Sequence, residues 1–336
     1  MYSKNYLSNN LKIRHLVLKL FMVSSLLFFI SCNAPRNNPL DPNNPGYSYV
    51  TLQGSAQTNS PPFTGISNVS VYWSSANISV NTDPNGKFKF SNIMPVDGKL
   101  IFQKTGYLSD TINVTWGNSK SLNYIVNLNK IPQLDSVSIY SVVLNQFSPP
   151  GQTYQLIINS KISNNDNNID SVFVENSQLN LKKVLIYNAT NKEYEATLTT
   201  QDLNVTDIEQ TIGLDFNIVV KDSSKKIFNI GTDKVTRVIK TGVAIQFPAN
   251  DTTVTSTPTL KWQRYKTGYT FTFMIEIYTN NFANSQLVFS KNNISSDSTS
   301  IFVNTPLSTN NYYWVIWVID QFQNRSRSLP ATFSVP

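Results

Sequence analysis

Apolar residues along this chain fall into short runs in which every second position is hydrophobic. Val50-Thr51-Leu52-Gln53, Val69-Ser70-Val71-Tyr72-Trp73 and Lys87-Phe88-Lys89-Phe90 set the pattern. A period of two turns alternate side chains to opposite faces, one toward a core and one toward solvent. The runs continue at Tyr154–Ile158, Ser171–Val174, Lys183–Tyr187, Tyr194–Leu198, Asp215–Val220, Phe271–Tyr278 and Tyr312–Ile319, with polar turn clusters between them. No long segment of helical period follows residue 31. The chain is therefore expected to be all-β and to form tandem β-sandwich domains.

Three folded units are expected, over residues 48–130, 131–240 and 241–336. In the first, Asp83-Pro84-Asn85-Gly86 joins two strands. Proline presets φ and Asn-Gly supplies positive φ, so the turn is tight and Phe88 and Phe90 share one face. The stretch TDPNGKFKFSNIMP, with KTGY downstream, resembles the carboxypeptidase regulatory-like domain, a transthyretin-like sandwich. That resemblance implies a fold and carries over no catalytic residue. Strand spacing in the second unit suggests an Ig-like sandwich. Its Asn164–Asp170 segment is rich in oxygen atoms, but it lacks the glycine and terminal glutamate of an EF-hand and reads as a solvated loop. In the third unit, FPANDTTVTSTPTLKWQ, FTFMIEIYTNNF and NNYYWVIWVIDQFQNRSRS resemble strands of a fibronectin type III domain. The resemblance makes Trp262 a core residue and turns Tyr312, Trp314, Ile316 and Val318 inward.

Residues 1–31 have the pattern of an export signal. Lys4, Lys12, Arg14 and Lys19 precede an apolar run from Leu20 to Ile30. The run is about half of the ~20 residues a membrane-spanning helix needs. Phe29-Ile30-Ser31-Cys32 resembles the bacterial lipobox, with Phe29 where leucine is usual. The resemblance implies cleavage before Cys32, lipid on its sulfur and an acylated amino group. Two or three acyl chains make a durable anchor where one holds only marginally. A secreted protein with a cysteine at the junction is the other reading. Residues 32–47 carry four prolines among asparagines and read as a semi-extended tether, at ~3.1 Å per residue reaching roughly 45 Å.

Charge changes with processing. The full chain has 27 basic and 20 acidic residues; without the signal, 23 basic residues face 20 acidic ones, a net of +3. The remaining basic residues form no cluster, so nucleic acid is not an expected partner. Cys32 is the only cysteine, and the only histidine, His15, lies within the signal. Catalysis by a Ser-His-Asp or Cys-His arrangement and a histidine metal site are therefore not expected in the processed chain. Phosphate-binding and nucleophile-elbow motifs are missing too. Ser223-Ser224-Lys225-Lys226 matches Ser-x-x-Lys but sits in a polar stretch and reads as a turn. The expectation is a protein that is not an enzyme, with no cofactor and no metal.

One strand departs from the half-polar pattern. Opposite its inward residues, Tyr312–Ile319 carries Tyr313, Val315, Trp317 and Ile319. Met274 and Tyr278 of the preceding long strand should share that outer face. A contiguous apolar patch marks a contact. It is either packing against the middle domain or a partner copy, or an aromatic platform for a carbohydrate or protein ligand. The sequence thus suggests a lipid-anchored lipoprotein of a bacterial envelope, most simply at the outer membrane. It would act as a binding module or as a structural subunit of an envelope complex.

Overall fold

The computed structural model describes residues 48–147, 151–164, 167–281 and 284–336. Cys32 and the segments expected to be signal and tether lie outside the described residues, as do Asn165 and Asp166 of the oxygen-rich loop. The described chain is built of strands, with one short 3-10 turn at Ile208–Thr211. It divides into two compact units. Among the described residues, one takes in residues 48–57, Thr64–Lys104 and Ser109–Val126; the other comprises Thr58–Phe63, Thr105–Leu108 and Asn127–Pro336.

The first sandwich has seven strands: β1 (Val50–Thr58), β2 (Ser70–Trp73), β3 (Ile78–Asn81), β4 (Lys87–Ile93), β5 (Gly98–Gln103), β6 (Asp110–Val114) and β7 (Ser121–Leu128). They form two sheets, ordered β4-β1-β7 and β3-β2-β5-β6. Alternation in β4 buries Phe88 and Phe90 and leaves Lys87 and Lys89 in water. The Phe88 and Phe102 rings meet edge to face at 5.5 Å. The turn before β4 follows its sequence chemistry. The Asp83 carboxylate accepts from the amides of Asn85 and Lys87, and Gly86 has φ +76°. A Cβ on Gly86 would lie 2.3 Å from the Ala56 carbonyl oxygen, so both space and conformation require glycine there.

The middle sandwich contains β8 (Gln133–Gln146), β9 (Gly151–Ser163), β10 (Ile169–Asn176), β11 (Leu181–Asn188), β12 (Glu193–Thr199), β13 (Asp215–Asp222) and β14 (Ile227–Lys234). The neighbour order β8-β9-β12-β11 on one side and β10-β13-β14 on the other is the immunoglobulin arrangement. β11 belongs to both sheets: its first half pairs with β10 and its last three residues pair with β12. Leu156, Ile158, Val174, Phe216 and Ile218 fill the core. The oxygen-rich loop serves the fold where it is described. Asn168 is buried and donates to Asn129, which in turn donates to the Asp222 carboxylate. Ser223–Lys226 is the turn of the β13–β14 hairpin, tied by the Lys226 amide to Asp222.

The last sandwich contains β15 (Ile245–Phe247), β16 (Thr252–Thr253), β17 (Thr259–Trp262), β18 (Phe271–Thr279), β19 (Leu287–Ser295), β20 (Ser300–Phe302), β21 (Asn310–Asp320), β22 (Arg325–Arg327) and β23 (Ala331–Val335). One sheet is β15-β17-β20; the other runs β19-β18-β21, with β22 and β23 in succession along β21. Trp262, Phe273, Trp314, Ile316, Val318 and Phe333 form its core. The middle and last sandwiches share a sheet, because β8 pairs in parallel with β22.

Turns in this chain rely on asparagine. Among the described residues, twelve positions other than glycine have positive φ, and eight of them are asparagine. Asparagine tolerates the left-handed region because its short polar side chain bonds locally.

Candidate binding face of the last sandwich

The outer face of β18 and β21 is assembled by register. Met274 lies opposite Trp317, Glu276 opposite Val315, and Tyr278 opposite Tyr313. Directly opposed side chains on an antiparallel pair stand close enough to touch. The Tyr278 and Tyr313 rings accordingly stack, with centroids 5.2 Å apart and planes 12° apart. Ile319 continues the row beyond Trp317. All six residues expected on one face are on it, but they are not equally accessible. Val315 is only 1% exposed, whereas Met274, Tyr278, Tyr313, Trp317 and Ile319 are partly exposed.

Two charged residues are built into this aromatic row. Trp317 Nε1 donates to Glu276 Oε2 at 2.8 Å. The same carboxylate bonds the Tyr278 hydroxyl. Partial burial, then the negative charge and hydrogen bond of Glu276, push the Tyr278 phenol up to about 12. On β22, Arg327 lies opposite Trp317 and holds its guanidinium 6.0 Å from the indole ring. Arg327 also donates to the Asn145 carbonyl of β8 at 3.3 Å. The face is thus an aromatic strip carrying a fixed carboxylate and a fixed guanidinium. The strict alternation that marks Met274 and Tyr278 also marks Glu276. Arg327 sits in a polar Arg-Ser-Arg run that gives no such signal.

At one end the face opens into a cleft of ≈ 420 Å³. Met274 and Ile319 form its apolar wall, and Asn292, Asn293, Gln321 and Gln323 supply carboxamides. A carboxamide offers donors and an acceptor together, which suits hydroxyl groups. Partly exposed rings suit the apolar face of a ring-shaped ligand.

A second exposed apolar area lies on the other sheet of this sandwich. Phe247 is 40% exposed and Phe302 is 58% exposed. Phe247 stands opposite Lys261, and Phe302 opposite Thr259.

Other candidates resolve into structural roles. Lys182 pairs with Glu175 and lies over the Phe173 ring, and Lys183 pairs with Asp202. Among the described residues there is no group of three or more His, Cys, Asp or Glu able to hold a metal ion. No helix among them is long and apolar enough to cross a membrane.

Residues 57–139 match the family model of the CarboxypepD_reg-like domain, from the end of β1 into β8. No curated protein matches the chain in sequence. Among solved structures, the chain is similar to fibronectin(III)-like modules of Clostridium thermocellum CbhA. Identity there is 10%, covering 61% of this chain and 93% of that one, with a TM-score of 0.29. It is also similar to the FN1–FN3 domains of chicken CNTN1, at 9% identity over 81% of this chain and 93% of that one, with a TM-score of 0.31.

Proposed function

We propose that this chain is a non-catalytic binding module, held at a bacterial membrane by lipid on Cys32, whose last sandwich captures a glycan. The observation that carries this reading is the junction of two surfaces. The Trp317 row, with Met274 and Ile319, runs directly into a cleft lined by four carboxamides. Ring stacking would hold the apolar face of a sugar, and the carboxamides and Glu276 would meet its hydroxyls. A tether of the kind read at residues 32–47 would lift the folded units from the lipid surface.

A glycan array probed with the full processed chain tests the reading. Binding to a defined glycan class that falls at least tenfold in Trp317→Ala supports it. Equal binding by both proteins, or none by either, overturns it. Lipid attachment is tested separately: Cys32→Ala should leave the chain unprocessed or release it from membranes.

The exposed Phe247 and Phe302 favour a second reading, a structural subunit of an envelope complex. Apolar rings at this exposure are what a protein partner covers. Crosslinking in cells that captures one stoichiometric partner through Phe302, with no glycan bound on the array, would favour that reading.

A further inference from the structure

The edge of the last strand is taken by two partners in succession. β16 lies parallel to β23, with Thr252 against Phe333 and Thr253 against Ser334. β8 lies parallel to β22, with Val142, Val143 and Leu144 against Arg325, Ser326 and Arg327. The first partner belongs to the last sandwich and the second to the middle one. Between them the edge opens into a groove of ≈ 710 Å³ that both Asn145 and Asn250 line. β8 therefore does for the first half of this edge what β16 does for the second.

Side chains seal the joint. Asn324 is 0% exposed, and so is Ser141. Asn324 Oδ1 accepts from the Ser141 amide at 2.9 Å and from the Ser141 hydroxyl at 3.2 Å. Asn324 Nδ2 donates to Thr236 Oγ1 at 2.9 Å and to Asp320 Oδ2 at 3.1 Å. The Asp320 carboxylate is closed off from water and takes Arg237 at 2.8 Å. Arg237 in turn lies 4.0 Å over the Tyr269 ring. Asn145 Nδ2 donates to the Arg327 carbonyl at 2.6 Å. Ser141 and Asn145 lie on β8, and Thr236 and Arg237 on the segment that leaves β14.

We infer that the middle and last sandwiches are one cooperative unit, in which β8 completes the last sandwich and Asn324 locks the joint. Neighbouring domains by default move relative to one another. Here a backbone ladder fixes the register, so sliding would break it. Separation would strip Asn324 of Ser141 and Thr236, and Asp320 of Arg237, in a site shaped to exclude water, and buried polar groups that lose partners are costly. It would also bare a strand edge. The inference stands whether or not the Trp317 face binds a glycan.

Hydrogen exchange of the full chain across a urea series tests it, reading β10 and β13 separately from β18 and β21. In the unaltered chain both pairs should lose protection at one urea midpoint. Asn324→Ala should split them, with β18 and β21 opening first by on the order of 1 M urea. Ser141→Ala keeps the Ser141 amide and removes only its hydroxyl; it should give a smaller split in the same direction, and it decides the matter if Asn324→Ala does not fold. Separate midpoints in the unaltered chain would overturn the inference. So would a common midpoint that a folded Asn324→Ala chain retains, or that Ser141→Ala retains where Asn324→Ala does not fold.

Discussion

The two faces of β21 are almost equally apolar, yet they do different work. Inward, Tyr312, Trp314, Ile316 and Val318 join a core that includes Trp262, Phe273 and Phe333. Outward, Tyr313, Val315, Trp317 and Ile319 meet a stacked tyrosine, a carboxylate and a guanidinium. Each face carries a tryptophan whose indole N–H is bonded. Trp314 donates to the Pro248 carbonyl, a backbone group fixed within the fold. Trp317 donates to Glu276, a carboxyl side chain at a partly exposed surface. Hydrophobicity along a strand shows which residues share a face. The polar partners show whether that face is meant to stay closed.

This contrast can be broken most forcefully from the inside. Trp314→Ala should cost about 3–5 kcal/mol, the range for removing a large aromatic side chain from a core. Urea unfolding should show it as the most damaging single change in the last sandwich. Asp320→Ala comes next. It removes the buried end of a pair whose other end, Arg237, is about one-third exposed, so about 2 kcal/mol is expected rather than the full cost of a buried pair. Trp317→Ala should cost only about 1 kcal/mol, since its ring is already partly in water. If Trp317→Ala proves as damaging as Trp314→Ala, the outer face is a second core and the contrast fails.

Glu276→Gln should change stability least and chemistry most visibly. Removing the negative charge takes away one of the causes that raise the Tyr278 phenol, while burial remains. An ultraviolet titration should therefore show Tyr278 ionising below its present value of about 12 but above the ordinary value of 10.0. The sign for the fold follows from linkage. The folded-state value lies above the unfolded one, so the stabilisation is whole below about pH 10 and is lost as pH rises toward 12. A Tyr278 titration unmoved by Glu276→Gln would mean that the carboxylate does not act on the ring.

Much of this could be read in the sequence because it is local. Alternation in β4 and β21 places Phe88, Phe90 and both sets of β21 residues, and Asp83–Gly86 specifies its turn. Glu276 was within reach of the same rule. The joint was not. Val142–Leu144 and Arg325–Arg327 pair across nearly the whole of two domains, and a three-residue parallel ladder leaves no periodic trace. Asn324 and Asp320 look like an ordinary polar turn, because burial by a distant strand is invisible in neighbouring residues. The Asn168 side chain was hidden in the same way: an asparagine-rich stretch reads as solvated until Asn129 and Asp222 are brought to it.

The asparagine turns bear on how the molecule ages. An asparagine loses its amide nitrogen when the amide of the next residue attacks the side chain and closes a five-membered ring. Bulky branched neighbours hinder that closure, and glycine permits it. Asn68, Asn77, Asn92, Asn180, Asn204 and Asn293 all have positive φ, and each is followed by valine, isoleucine or leucine. At Asn85 the next residue is glycine, but the Gly86 amide is engaged by the Asp83 carbonyl at 2.9 Å. At six of its eight asparagine corners the chain has thus placed the residues that slow their chemical decay, Asn167 and Asn250 being the two that precede a polar residue instead.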